Sequence, residues 1–99
     1  MAHIARIRGI FVLAAFTLAA CVGAPVQEMS NARQAIRAAR DAGAEQAAPQ
    51  KLNEAEALLN RAEDSLERRA YREARRSAIA ARDKAAEALG ATQPGSNTG

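Results

Sequence analysis

Residues 49–89 read PQKLNEAEALLNRAEDSLERRAYREARRSAIAARDKAAEAL, and the fold turns on how this stretch is divided. Leu52, Ala55, Leu59, Ala62 and Leu66 recur at alternating spacings of three and four, with Leu58 widening the stripe. Tyr71, Ala74, Ala78, Ala81, Ala85 and Ala88 continue the same period up to Leu89-Gly90. Such spacing places each set on one face of an amphipathic α-helix. Between the two sets, Glu67-Arg68-Arg69-Ala70 holds no Gly, Pro, Asn or Ser, so local propensity also permits one continuous helix over 49–89. The charge reverses at this point: residues 41–67 carry seven acids against Lys51 and Arg61, whereas 68–84 carry seven bases against Glu73 and Asp83. A turn there would fold acid against base, and two helices, about 49–68 and 71–89, are expected.

Working outward, Pro49 keeps Ala48 out of helical geometry, and Gly43 is suited to end a preceding helix. Met29, Ala32, Ile36 and Ala39 supply that helix with its apolar stripe, over about 26–42. Pro25 is suited to the first helical position, and Glu28 to the first turn. Residues 43–48 form the connecting loop. The last ten residues, GATQPGSNTG, have no periodicity and read as a disordered tail over 90–99. The expected fold is all-α, a small antiparallel three-helix bundle.

The apolar content is mostly alanine. Of the 79 residues from Cys21 to Gly99, 21 are Ala, and the larger apolar side chains are few. At about 25 cal/mol per Å² of buried apolar surface, they support a thin helical seam, with self-association or a partner supplying further burial.

The N-terminal segment reads as an export signal. His3, Arg6 and Arg8 precede an apolar run, Ile10 to Ala20, broken only by Thr17. At 1.5 Å per residue the run spans about 16 Å, too short for a hydrocarbon core of about 30 Å, so residues 1–20 read as a signal peptide. Leu18-Ala19-Ala20-Cys21 closely resembles the lipobox of bacterial lipoproteins. The resemblance implies a diacylglyceryl group on the Cys21 thiol, cleavage before it, and an acyl chain such as palmitate on the new amine. Ordinary signal cleavage after Ala20 is the alternative. In enteric bacteria an Asp after the cysteine signals inner-membrane retention; Val22 stands there, so the resemblance implies an outer membrane destination facing the periplasm. Residues 21–25 are then the lipidated cysteine and a short tether, and 26–89 the helical domain.

Removing residues 1–20 leaves 12 basic and 11 acidic side chains, so the basic character of the whole chain, net +3, nearly vanishes. No histidine remains and the single cysteine is acylated, which leaves neither the usual zinc ligands nor a Ser-His or Cys-His nucleophile. Glu54 with Glu56, and Glu63 with Glu67, read as a solvated helical face. Tyr71 is the one aromatic left, so there is no platform for base stacking. No enzyme activity, metal, cofactor, small-molecule substrate or nucleic acid is expected.

Ala35-Ile36, Ala42-Gly43-Ala44, Ala48-Pro49, the leucine stripe and Tyr71-Arg-Glu-Ala74 together resemble a family called domain of unknown function 4398, over about residues 29–89. The resemblance implies a small alanine-rich helical domain on an exported lipoprotein and carries no activity. Two positions depart from the family: Ala47, where an aromatic is common, and Arg69-Ala70, where Gly-Asp is common.

Arginines set the remaining expectations. Glu56 with Arg82, and Glu63 with Arg75, have position numbers summing to 138 in both cases, as level residues of an antiparallel pair turning near residue 69 would. Arg68, Arg69, Arg72 and Arg76 form a candidate anion face for headgroup or lipopolysaccharide phosphates or an acidic protein; internal neutralisation by the acids of 41–67 is the other reading. The expected role is a membrane-anchored interaction or envelope-scaffolding module, with an envelope protein or a second copy as partner. Anion or cell-wall binding through the basic helix is the alternative. So is a coiled-coil spacer, although the chain lacks the terminal Lys that murein lipoprotein uses for wall attachment.

Overall fold

The computed structural model describes residues 23–95; residues 1–22, which include the expected signal segment with Leu18, Ala19, Ala20 and Cys21, and residues 96–99 lie outside them. The described residues form four helices and no strand: α1 (Val26–Asp41), α2 (Ala44–Ala47), α3 (Pro49–Glu67) and α4 (Tyr71–Gly90).

Local chemistry explains each boundary. Pro25 caps α1 rather than opening it: with ψ at 60° it stays outside the helix while its carbonyl accepts the Met29 N–H at 3.0 Å. Glu28 in the first turn and Arg40 in the last complement the helix dipole. Gly43 adopts φ +95°, and its N–H bonds back to the Arg40 carbonyl. The loop expected over 43–48 contains a single helical turn, α2, because Gly43 and Ala44 offer their carbonyls to the N–H groups of Gln46, Ala47 and Ala48. Ala44 is thereby buried beneath Ile36, Ala39 and Leu52. Pro49 then opens α3 at its first position, after an extended Ala48.

The chain breaks between α3 and α4 without glycine. Arg69 takes the left-handed conformation, φ +62°. Its N–H bonds the Leu66 carbonyl at 3.0 Å, and the Ala70 N–H bonds the Ser65 carbonyl at 2.8 Å. This pair of bonds is a Schellman motif, which satisfies the last carbonyls of α3. A continuous helix over 49–89 is therefore ruled out. Ala70 becomes the N-cap of α4 and offers no side-chain bond to its first N–H groups.

Alanine builds the interior. Ala74, Ala78, Ala81, Ala85 and Ala88 of α4 are completely inaccessible. One cluster joins Ile36 and Ala39 of α1 and Ala44 to Leu52 and Ala55 of α3 and Ala85 and Ala88 of α4; a second joins Met29, Ala62 and Ala78. Leu59 packs on both. Helix α4 packs against both α1 and α3, which touch each other far less than either touches α4.

Three expectations change. Tyr71 does not join the seam; it is the first residue of α4 and remains 36% exposed, because the packed stripe starts a turn later at Ala74. Ser65 is buried, and Leu66 only partly so, packing on the Met29 cluster. The tail does not begin at 90: α4 includes Gly90, and Ala91, Thr92 and Gln93 turn back onto the carbonyls of Glu87, Leu89 and Gly90, with the Thr92 hydroxyl also bonded to Leu89.

Candidate interaction surfaces

The cross-helix ion pairs establish which side chains share a flank. Arg33 reaches Glu63 at 3.9 Å and Arg40 pairs with Glu56, so two arginines one heptad apart on α1 meet two glutamates one heptad apart on α3. Arg75 of α4 meets Glu28 of α1 at 3.4 Å and donates to the Gly23 carbonyl at 3.2 Å. Lys84 bridges Glu54 on α3, at 3.4 Å, and Glu87 on its own helix, at 3.5 Å. The charge of Glu87, and then the bond to Glu54, raise the Lys84 ammonium above its ordinary pKa.

The pairs expected from the constant sum, Glu56–Arg82 and Glu63–Arg75, do not form. Glu56 and Glu63 lie on the flank of α3 that faces α1, whose arginines take them. Arg82 folds onto the adjacent Asp83 at 2.9 Å, and Arg75 turns to Glu28. The expected level does hold for Glu54 and Lys84, whose numbers also sum to 138. The difference is one of flank, because the two-helix geometry left out α1. The Arg33–Glu63 and Arg40–Glu56 pairs are partly exposed and contribute about 0.2–1 kcal/mol each. We expect Arg40→Glu combined with Glu56→Arg to recover most of what either change loses, with a coupling of about 0.5 kcal/mol in a double-mutant cycle. Glu56→Arg with Arg82→Glu is expected to be additive, both cycles being read by urea titration.

Mutual neutralisation of the acidic and basic halves is correspondingly limited: Lys84–Glu54 is the one ion pair between α3 and α4 among the described residues. Within the candidate anion face, Arg68 pairs with Asp64 one turn earlier. Arg69, Arg72 and Arg76 are exposed and form no ion pair among the described residues. Arg76 and Arg68 also line a shallow depression of about 540 Å³ between the end of α3 and the start of α4, together with Arg61, Ser65 and Glu73. A second depression, of about 310 Å³, follows the loose contact of α1 with α3; Ile36 and Leu59 line it with Arg33, Arg37, Arg40 and Glu56.

Two features escaped the periodicity. Among the described residues, Val26, 72% exposed, and Tyr71 are the exposed large apolar side chains, and the bond from Arg75 to the Gly23 carbonyl ties the start of the described chain to α4. The first was hidden because an apolar residue at a helix start is indistinguishable from a seam member in a sequence. The second involves a backbone carbonyl, which leaves no trace in side-chain pattern.

Among the described residues, no group of three or more His, Cys, Asp or Glu is placed to hold a metal ion, and no helix is long and apolar enough to cross a membrane. What the fold and surface define is an alanine-packed, all-helical domain with an arginine-bearing end. The chain belongs to the family described as Domain of unknown function (DUF4398), whose profile matches residues 27–93. No curated protein and no solved structure matches the chain.

Proposed function

We propose that this is a non-enzymatic, lipid-anchored module of the cell envelope, held by acylated Cys21 in the outer membrane and facing the periplasm, that works by binding an envelope protein or a second copy. In this reading α1, α3 and α4 form an antiparallel three-helix bundle, and α2 is a single turn within the first connection. The bond from Arg75 to the Gly23 carbonyl, 3.2 Å long, carries the reading. It ties the chain to the folded domain two residues after Cys21, a span of about 7 Å at full extension. A domain tied so close to its anchor acts at the membrane surface, as a short-range scaffold does. The lipobox-like Leu18-Ala19-Ala20-Cys21 supports the anchor, and the partly buried Leu58, Leu59, Leu66 and Ile79 supply apolar area to a partner.

Cys21→Ser tests the proposal. Fatty-acid labelling in growing cells and partition into a detergent phase are expected in the wild type and lost in the variant, since two or three acyl chains anchor almost permanently. Equal labelling of the two would overturn it. A second reading, direct anion binding, is favoured by Arg69, Arg72 and Arg76 having no ion pair among the described residues. Capture that weakens steeply with salt would identify that reading; capture through a packed protein interface would persist.

A further inference from the structure

The start of α1 and the start of α4 lie at the same end of the domain. Met29 shares one buried cluster with Ala78, and Ile36 and Ala39 share the other with Ala85 and Ala88, so the two helices run in one direction, and Glu28 pairs with Arg75 at their common end. The α3–α4 turn extends beyond that level. The end therefore gathers the tether, through Gly23, with the turn residues Arg68 and Arg69 and the first turns of α4, which hold Arg72 and Arg76.

Three independent observations distinguish this end. Residues 67–76 carry five arginines against Glu67 and Glu73, whereas the opposite connection, 41–48, carries Asp41 and Glu45 and no base. Arg69, Arg72 and Arg76 are exposed and form no ion pair among the described residues. Val26 and Tyr71, the exposed large apolar side chains among the described residues, begin α1 and α4 and so sit at this end as well. Arginines beside an exposed tyrosine suit the interface of an anionic bilayer, where the cations meet headgroup phosphates and the amphipathic ring lies at headgroup depth.

We propose that this end is a second membrane contact: the domain stands with the α3–α4 turn against the anionic phospholipid of the bilayer that holds its anchor. The proposal rests on the Cys21 anchor, which places the bilayer within about 7 Å of Gly23. A lipid anchor fixes where the domain is and leaves its orientation free. Each arginine near an anionic surface adds to the attraction, so a basic end selects one orientation. The opposite connection, with α2, then points into the periplasm.

The chain has no tryptophan, so one introduced indole reports alone. The full-length lipidated protein is reconstituted into phosphatidylcholine vesicles with and without phosphatidylglycerol, both containing brominated phospholipid, with Tyr71→Trp as the near reporter and Gln46→Trp, exposed on α2, as the far one. Tyr71→Trp is expected to be quenched several-fold more than Gln46→Trp when phosphatidylglycerol is present. The difference is expected to collapse in high salt, and on adding Arg69→Gln, Arg72→Gln and Arg76→Gln, with circular dichroism checking that the helices persist. Protein that floats with the vesicles and carries its fatty acid while both reporters are quenched alike overturns the orientation and leaves the anchor standing; an acidic protein partner for the arginines would give that result. Quenching indifferent to phosphatidylglycerol, salt and the arginines overturns it too. Protein that neither labels nor floats removes the anchor and this proposal together.

Discussion

Ala78→Leu is expected to lower the melting temperature by on the order of 10 °C or to abolish the cooperative transition. Ala78 is completely inaccessible and packs with Met29 of α1 and Ala62 of α3, at a point where three helices converge on a methyl group. A leucine there cannot be accommodated by rotamer choice, so helices must separate. Overpacking of this kind costs about 1–3 kcal/mol, and each kcal/mol is worth roughly 4–8 °C in a domain of this size. Ala86→Leu, on the exposed face of the same helix, is the matched control and should melt within a few degrees of wild type. Thermal circular dichroism of the three proteins checks this. Indistinguishable melts would mean that the helices do not close on Ala78.

The opposite sign is expected at the α3–α4 turn. Arg69 holds φ +62°, a conformation that costs an L-residue roughly 1–2 kcal/mol and glycine little. After subtracting the greater freedom of glycine in the unfolded chain, about 0.4–1 kcal/mol, Arg69→Gly should stabilise by up to about 1.5 kcal/mol. Ala70 is the N-cap of α4 and makes no side-chain bond. An aspartate there can accept the free N–H of Arg72 or Glu73, a gain of about 0.5–2 kcal/mol, aided by the helix dipole. The combined Arg69→Gly and Ala70→Asp should raise the melting temperature by on the order of 10 °C. Arg69→Val should lower it, since a β-branched residue resists positive φ. If Arg69→Gly and Arg69→Val melt alike, the left-handed turn is not present in solution. The resembled family commonly has Gly-Asp at these two positions, and the geometry supplies the reason: one residue must turn left-handed and the next must cap. In the membrane contact proposed above, the arginine that this chain keeps at the tip would face headgroup phosphate.

Most of the secondary structure was legible from spacing and punctuation. The stripe Met29, Ala32, Ile36, Ala39 is buried as its period predicts, and Pro49 and Gly43 mark their boundaries. The stripe of α4 is buried from Ala74 to Ala88. These features are local: a side chain's angular position on a helix depends on residue number alone, and Gly and Pro act on their own φ. The break after Glu67 was legible through the reversal of charge and the helix-opening phrase Tyr71-Arg-Glu-Ala74, and not through propensity, because its left-handed residue is an arginine.

Partner choice between helices was beyond reach of the residue pattern. Glu56 and Glu63 could have met arginines on either neighbour, and their period said only that they flank the seam. It was the packing of α1 alongside α3 that gave them to Arg40 and Arg33 and turned Arg75 toward Glu28 and Gly23. With a seam made largely of methyl groups, many rotations of one helix on another bury similar area, so the pattern of one helix cannot specify which flank its neighbour covers. Three helices packing at once remove that freedom. The same closure brought the tether, the arginines and Tyr71 to one end, an arrangement set by the relative direction of α1 and α4 and by nothing within either segment.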